Sequence, residues 1–163
     1  MKVFVTVGSM LPFDRLVKAM DAWAAQRPKD QFFAQIGADA FEPKHMPWSS
    51  MLSPSAYRER FEWCDLIVSH VGMGTVITAS EMGRPLLMMP RRVALAEVTS
   101  NHQEATAQWL VKKAGVCIVE NEADLLHRIE ESAQMAGPGK LNQTSQPLIQ
   151  GLNQFISQVV RKP

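Results

Sequence analysis

The spacing of hydrophobic positions along the chain switches repeatedly between that of a strand and that of a helix. Val3 to Val7 is an unbroken apolar run, short enough for a strand buried on both faces, and it stops at Gly8-Ser9-Met10-Leu11-Pro12. Phe13, Leu16, Val17, Met20 and Trp23 then recur at intervals of three and four, so an amphipathic helix follows and lays one face on a sheet. Gln31 to Ile36 predicts a second strand, ended by Gly37. From Ala38 to Ser53 the prolines Pro43 and Pro47, with Pro54 just beyond, predict a loop holding one short strand around His45 to Ser50.

Ser53-Pro54 pairs a capping hydroxyl with proline at the first helical position, and Tyr57 and Phe61, one turn apart, should bury together. Leu66 to Val68 predicts a buried strand that ends in Ser69-His70-Val71-Gly72. Thr75 to Met82 then has helical spacing, closed by Gly83-Arg84-Pro85. Leu86 to Met89 is the next strand, and Pro90 to Ser100 has a cationic start and no period. A helix should run from Asn101-His102-Gln103 to about Lys113, with Gly115 as its stop. Val116 to Val119 predicts another strand, Asn121 caps a helix from Glu122 to about Met135, and Gly137-Pro138-Gly139 breaks the chain. Leu148, Leu152, Phe155, Ile156 and Val159 mark a last amphipathic helix. Strands alternating with helices predict an α/β fold, a Rossmann-like parallel sheet with helices on both faces, whose ligands bind at the carboxyl ends of the strands.

Composition narrows the class. The 163 residues suit a single domain, 46% are hydrophobic, and the formal net charge is only +1, so no basic field points to nucleic acid. Cys64 and Cys117 fall in or beside strands and read as apolar thiols, and the four histidines are scattered without ligand spacing, so no metal site is expected. The apolar start of the chain is broken at Gly8-Ser9 and followed by Pro12, Asp14 and Arg15, which fits a first strand better than a secretory signal. No stretch reaches the roughly 20 apolar residues of a membrane span, so membrane contact is expected only through a partner or at the surface.

Candidate chemistry sits in the turns. Gly72 and Gly74 lack Cβ atoms where a strand gives way to a helix, so backbone can approach a ligand closely. The first amides of that helix are unpaired donors at the positive end of its dipole, an anion site most often used for phosphate. Gly8-Ser9, Gly72 to Thr75 and Pro90 to Gln103 all fall at strand carboxyl ends, so three polar loops are expected to converge on one edge.

Taken in order, Thr6-Val7-Gly8-Ser9, Phe13-Asp14-x-Leu16, Ser69-His70-x-Gly72-x-Gly74-Thr75, Gly83-x-Pro85 and Asn101-His102-Gln103 resemble the glycosyltransferase family 28 C-terminal domain, the nucleotide-sugar-binding half of a GT-B enzyme. The resemblance covers nearly the whole chain and is closest to single-domain subunits of two-component transferases: the dolichol-pathway catalytic subunit and the small subunits of bacterial exopolysaccharide transferases. It implies a cytoplasmic donor-binding subunit that transfers a sugar from UDP to a lipid-linked saccharide with inversion. A membrane-associated partner would supply the acceptor half and the general base. It places Gly72, Met73, Gly74 and Thr75 on the family's diphosphate loop and Asn101, His102 and Gln103 on its donor-sugar segment. Gly8 and Ser9 add a second turn. The family's ribose-binding glutamate falls on Thr78; Glu81, nearly one turn later, is the candidate substitute, and one of the two is expected to be a plain helix-surface residue.

Several residues keep two readings. His70 is either a catalytic group beside the diphosphate or a strand-end residue bonded to backbone, and Arg91 and Arg92 are either phosphate clamps or a loop surface. Met10, Met46 and Met51 can fill core or serve an interface, and Trp48 can be an acceptor platform or plain packing. A nicotinamide-dependent oxidoreductase is the rival enzyme class, opposed by the single Gly8 where Gly-x-Gly-x-x-Gly is required. A non-catalytic nucleotide-sugar-binding module of the same fold is the other rival.

Overall fold

The computed structural model describes residues 1–100, 102–111 and 115–135. In order they form β1 (Lys2–Thr6), α1 (Asp14–Ala25), β2 (Gln31–Gln35), β3 (Trp48–Ser49), α2 (Pro54–Trp63), β4 (Leu66–His70), α3 (Met73–Glu81), β5 (Leu86–Met89), α4 (His102–Leu110), β6 (Val116–Ile118) and α5 (Glu122–Met135). A 3₁₀ turn at Val93–Leu95 interrupts the stretch after β5, where the sequence shows no period. The helix expected at 148–159 lies outside the described residues.

All six strands are parallel, in the order β3-β2-β1-β4-β5-β6. Alternating side chains divide the core in two. Val3, Val5, Val68, Leu87 and Met89 face α1 and α5, while Phe4, Ile67, Leu86 and Met88 face α2, α3 and α4. Helices therefore cover both sides, which is why strands as apolar as β1 and β5 are tolerated at the centre. The predicted caps are in place: Ser53 Oγ accepts the Ala56 N–H at 3.2 Å and Asn121 Oδ1 accepts the Asp124 N–H at 2.9 Å.

Several boundaries shift for physical reasons. β4 continues past Val68 through Ser69 and His70, because both still pair with β5, at Met88 and Met89. α3 begins at Met73, two residues before the expected Thr75, since Gly72 is already extended and serves as its N-cap. The loop before β3 is tied down where Asp21 accepts both the His45 N–H (2.7 Å) and its ring Nδ1 (3.1 Å), and this buries Met46 to 4% exposure. Met46 is thus a core residue, while Met10 and Met51 stay exposed. Cys64 is buried, with its thiol pushed up to about 12 by desolvation, and Cys117 is half-buried.

The chain leaves β1 toward β2 and β3 on one side and continues from β4 toward β5 and β6 on the other. The β1–β4 seam is therefore the point where winding reverses, and a crevice opens above the carboxyl ends there.

Candidate functional site

A cleft of about 750 Å³ lies over that seam. Gln35 lines it, at the end of a buried polar row within an otherwise apolar sheet: Gln35, Thr6 and Ser69 stand in register across β2, β1 and β4 and are each no more than 3% exposed. The walls of the cleft are the turn after β1, the turn after β4, α2, and the segment between β5 and α4.

The first turn is shaped by side chains reaching in from neighbouring strands. Gly8 takes φ +78°, which only glycine adopts cheaply, and donates its N–H to Thr6 Oγ1 at 3.3 Å. Its carbonyl accepts from Gln35 Nε2 at 3.0 Å. Arg91, at the end of β5 and 3% exposed, donates to the carbonyls of Val7 (2.9 Å), Leu11 (2.5 Å) and Pro12 (2.5 Å) and lies over the Phe13 ring. Arg91 borders the cleft, but its donors fasten the turn. Burial pulls its pKa below the ordinary value and Glu97 works the other way. Arg92 points elsewhere, to the carbonyl of Glu120. Ser9 and Met10 form the exposed tip of the turn and line the cleft.

The second turn is a helix start. Gly72 N-caps α3 without a side-chain bond and no acidic residue occupies the first turn, so the amides of Met73, Gly74 and Thr75 stand at the positive end of the helix without an acidic side chain to neutralise them. A Cβ built on Gly74 would meet nothing within 4 Å, so the space beside it is open. Thr75 is 4% exposed, and its hydroxyl lies 3.2 Å from that of Tyr57. Thr78 also lines the cleft, with its hydroxyl donated to the Gly74 carbonyl at 3.0 Å. Glu81, expected as a substitute for a ribose-binding glutamate, is exposed at the far end of α3 and does not border the cleft.

His70 joins the two turns. A Cβ on Gly8 would come within 2.6 Å of its ring and one on Gly72 within 2.2 Å, so the imidazole fills the space that both glycines leave. Among the described residues its buried Nδ1 has no hydrogen-bond partner. Burial first, and the Arg91 charge second, push its pKa down to about 4, with the Thr6 backbone acting weakly the other way. His70 is therefore neutral near pH 7. In that form it offers a polar N–H or a lone pair.

Gln103 is 6% exposed on the opposite wall, where its Oε1 accepts the Arg91 N–H at 3.2 Å. His102 begins α4, and Asn101 lies outside the described residues. Two cleft residues escape a reading of motifs. Gln35 is a polar residue ending an apolar strand, and Tyr57 is the single tyrosine of the chain; either oddity could have marked them. Among the described residues no group of three or more His, Cys, Asp or Glu side chains could hold a metal ion, and no helix is long and apolar enough to cross a membrane.

A six-stranded parallel sheet with a helix start at its reversal point is a Rossmann-like fold, of the kind that forms the C-terminal half of GT-B proteins. The chain belongs to the glycosyltransferase family 28 C-terminal domain family, whose model matches residues 2–158. Solved structures agree in fold. The glycotransferase of kitacinnamycin superposes with a TM-score of 0.65 at 21% identity, over 88% of this chain and 37% of that one. The solution structure of ALG13 gives 0.57 at 16% identity, over 83% of this chain and 86% of that one. The UDP-GlcNAc 2-epimerase from Neisseria meningitidis, solved bound to UDP-GlcNAc, gives 0.54 at 13% identity, over 94% and 44%. The chain thus spans less than half of the kitacinnamycin and epimerase structures.

Proposed function

We propose that this chain is the donor-binding subunit of an inverting glycosyltransferase that moves a sugar from a UDP-sugar to a lipid-linked acceptor in polysaccharide biosynthesis. The acceptor half and the general base belong to a membrane-associated partner, which holds this chain at the cytoplasmic face. The observation that carries the reading is the start of α3, where three backbone amides face a cleft with open space beside Gly74. Family membership supports a nucleotide-sugar ligand, and the resemblance to single-domain subunits supports division of the enzyme between two chains.

In such a reaction negative charge accumulates on the departing diphosphate, and groups already aimed at it lower the barrier. The amides of Met73, Gly74 and Thr75 and the Thr75 hydroxyl supply that stabilisation, and Ser9 reaches it from the first turn. His70, neutral near pH 7, enters as a hydrogen-bonding group whose proton affinity rises once two phosphates lie beside it. Gln103, on the opposite wall of the cleft, faces the sugar. Arg91 acts from behind by holding the Gly8 turn.

Calorimetric titration with UDP, UDP-sugars and NAD tests the reading. UDP should bind and NAD should not; binding of NAD alone would overturn the assignment in favour of an oxidoreductase. Co-expression with the product of its chromosomal neighbour, followed by assay of sugar transfer to lipid, tests catalysis. A Gly74→Asp chain, with a carboxylate in the open space, should abolish transfer. Unchanged transfer would favour the non-catalytic reading, to which Glu81 lying outside the cleft lends weight.

A further inference from the structure

Tyr57 occupies a position whose packing does not need a hydroxyl. Its ring meets Phe4 at 5.7 Å and Phe61 at 4.8 Å between centroids, within an apolar cluster where Phe61 is fully buried without any polar atom. A phenylalanine would pack there equally well, yet the only tyrosine of the chain stands in its place. Its hydroxyl lies 3.2 Å from Thr75 Oγ1, at the third position of α3, beside the open cleft. Burial pushes the phenol pKa up, and hydrogen bonding to Thr75 and Thr6 partly offsets this. Thr6 is itself completely buried, and its Oγ1 accepts the Gly8 N–H.

The direction of these bonds follows from the donors. The Gly8 N–H can only donate, so Thr6 Oγ1 receives there and its own proton is left for another acceptor. Of the two hydroxyls 3.2 Å apart, the phenol is the more acidic and the better donor toward an aliphatic oxygen. When Tyr57 donates to Thr75, the Thr75 proton must point away from it. Thr75 lines the cleft, which gives that proton a direction away from Tyr57.

We infer that Tyr57 is a positioning residue: it fixes the Thr75 hydroxyl as a donor into the cleft, so that Thr75 meets the diphosphate with both its N–H and its O–H already aimed. This rests on the nucleotide-sugar reading of the site. The gain is preorganisation, since a free hydroxyl rotor would have to be ordered on binding and a hydroxyl turned inward would present a lone pair to an anion.

The test is a double-mutant cycle on UDP binding, measured by calorimetry on the full chain at constant pH and salt. Thr75→Val should weaken UDP by about tenfold, the order expected for a hydrogen bond to a charged group. Tyr57→Phe should weaken it by about three- to fivefold while the ligand-free melting temperature stays near that of the parent. In the Thr75→Val background Tyr57→Phe should cost nothing further, whereas in Thr75→Ser, which keeps the hydroxyl, it should cost as much as in the parent. Equal UDP affinity of Tyr57→Phe and the parent would overturn the inference, as would a full additional loss on Thr75→Val, which would mean that the phenol acts through packing. A parent chain that binds no UDP would overturn the nucleotide-sugar reading and this inference with it.

Discussion

The two glycine turns lie side by side over the β1–β4 seam, but they are held in opposite ways. After β1 the chain runs from Val7 to Phe13 before a helix begins, and the Phe13 N-cap makes no side-chain bond. The turn's shape comes from outside, from Arg91 on three carbonyls, Gln35 on a fourth, and the His70 ring against Gly8. After β4 the helix starts within three residues, and the turn's amides are ordered by α3 itself. A turn without its own helix start needs distant side chains to be rigid, whereas one fused to a helix carries its rigidity and its dipole with it. The contrast predicts where each can be broken.

The largest effects should come where the turns share His70. Gly8→Ala and Gly72→Ala each place a Cβ inside the ring's contact distance, at 2.6 and 2.2 Å. Each should destabilise the fold by about 1–3 kcal/mol in urea unfolding, as overpacking of a filled space does. His70→Ala separates the two causes. In that background Gly72→Ala should cost less than about 1 kcal/mol, while Gly8→Ala should keep about 1 kcal/mol from its left-handed backbone. Equal residual costs would mean that the ring is not what the glycines accommodate.

Next comes the strut that only the first turn uses. Arg91→Met leaves the carbonyls of Val7, Leu11 and Pro12 without their donor and should cost about 3 kcal/mol. Amide shifts in NMR spectra should change through Gly8 to Leu11 and much less at Met73 to Thr75. Arg91→Lys, which keeps a charge but not the fork, should recover only part of the loss. Perturbation spread evenly over both turns would break the comparison.

The pH dependence has a definite sign. His70 takes its proton at about 4 when folded, against 6.5 for an unperturbed histidine, so between these values the unfolded chain binds more protons. Stability should therefore fall as pH drops from about 6.5 to 4, by roughly 3 kcal/mol at 1.36 kcal/mol per pKa unit, and be untouched by this group above pH 7. His70→Gln should flatten that part of the profile. UDP binding near pH 6 should take up protons, because two phosphates beside the ring raise its pKa again. A profile unchanged by His70→Gln would mean that another group carries the acid sensitivity.

How much of this was legible follows the same division. The fold was, because unbroken apolar runs such as Val3 to Val7 and Leu86 to Met89 belong to strands covered on both faces, and the helices between them keep their period. The second turn was legible too, since Gly72, Gly74 and Thr75 act within a few residues of one another. The first turn was not. That Arg91 fastens Val7, and that Gln35 reaches Gly8, depends on the order of β2, β1, β4 and β5, which local spacing does not reveal. Tyr57 read as packing because its ring does pack; only the crossing of α2 over α3 brings its hydroxyl to Thr75. Met46 read as an interface candidate because the Asp21–His45 tie that buries it spans distant residues.

The smallest change in stability is the sharpest test of what the second turn is for. Gly74 lies in the first turn of α3 with nothing within 4 Å of a built Cβ and no left-handed backbone, so the fold alone does not require glycine there. Gly74→Ala should leave stability within about 1 kcal/mol of the parent and can raise it, since alanine loses less backbone entropy on entering a helix. If the open space is where a phosphate rests against the backbone, the same methyl group should weaken UDP by about tenfold or more, as a steric block in a site built for close approach. A glycine that folding does not need but binding does would mark the cradle as selected for a ligand. Undiminished UDP affinity in Gly74→Ala would move the diphosphate away from this helix start and toward the Gly8 turn.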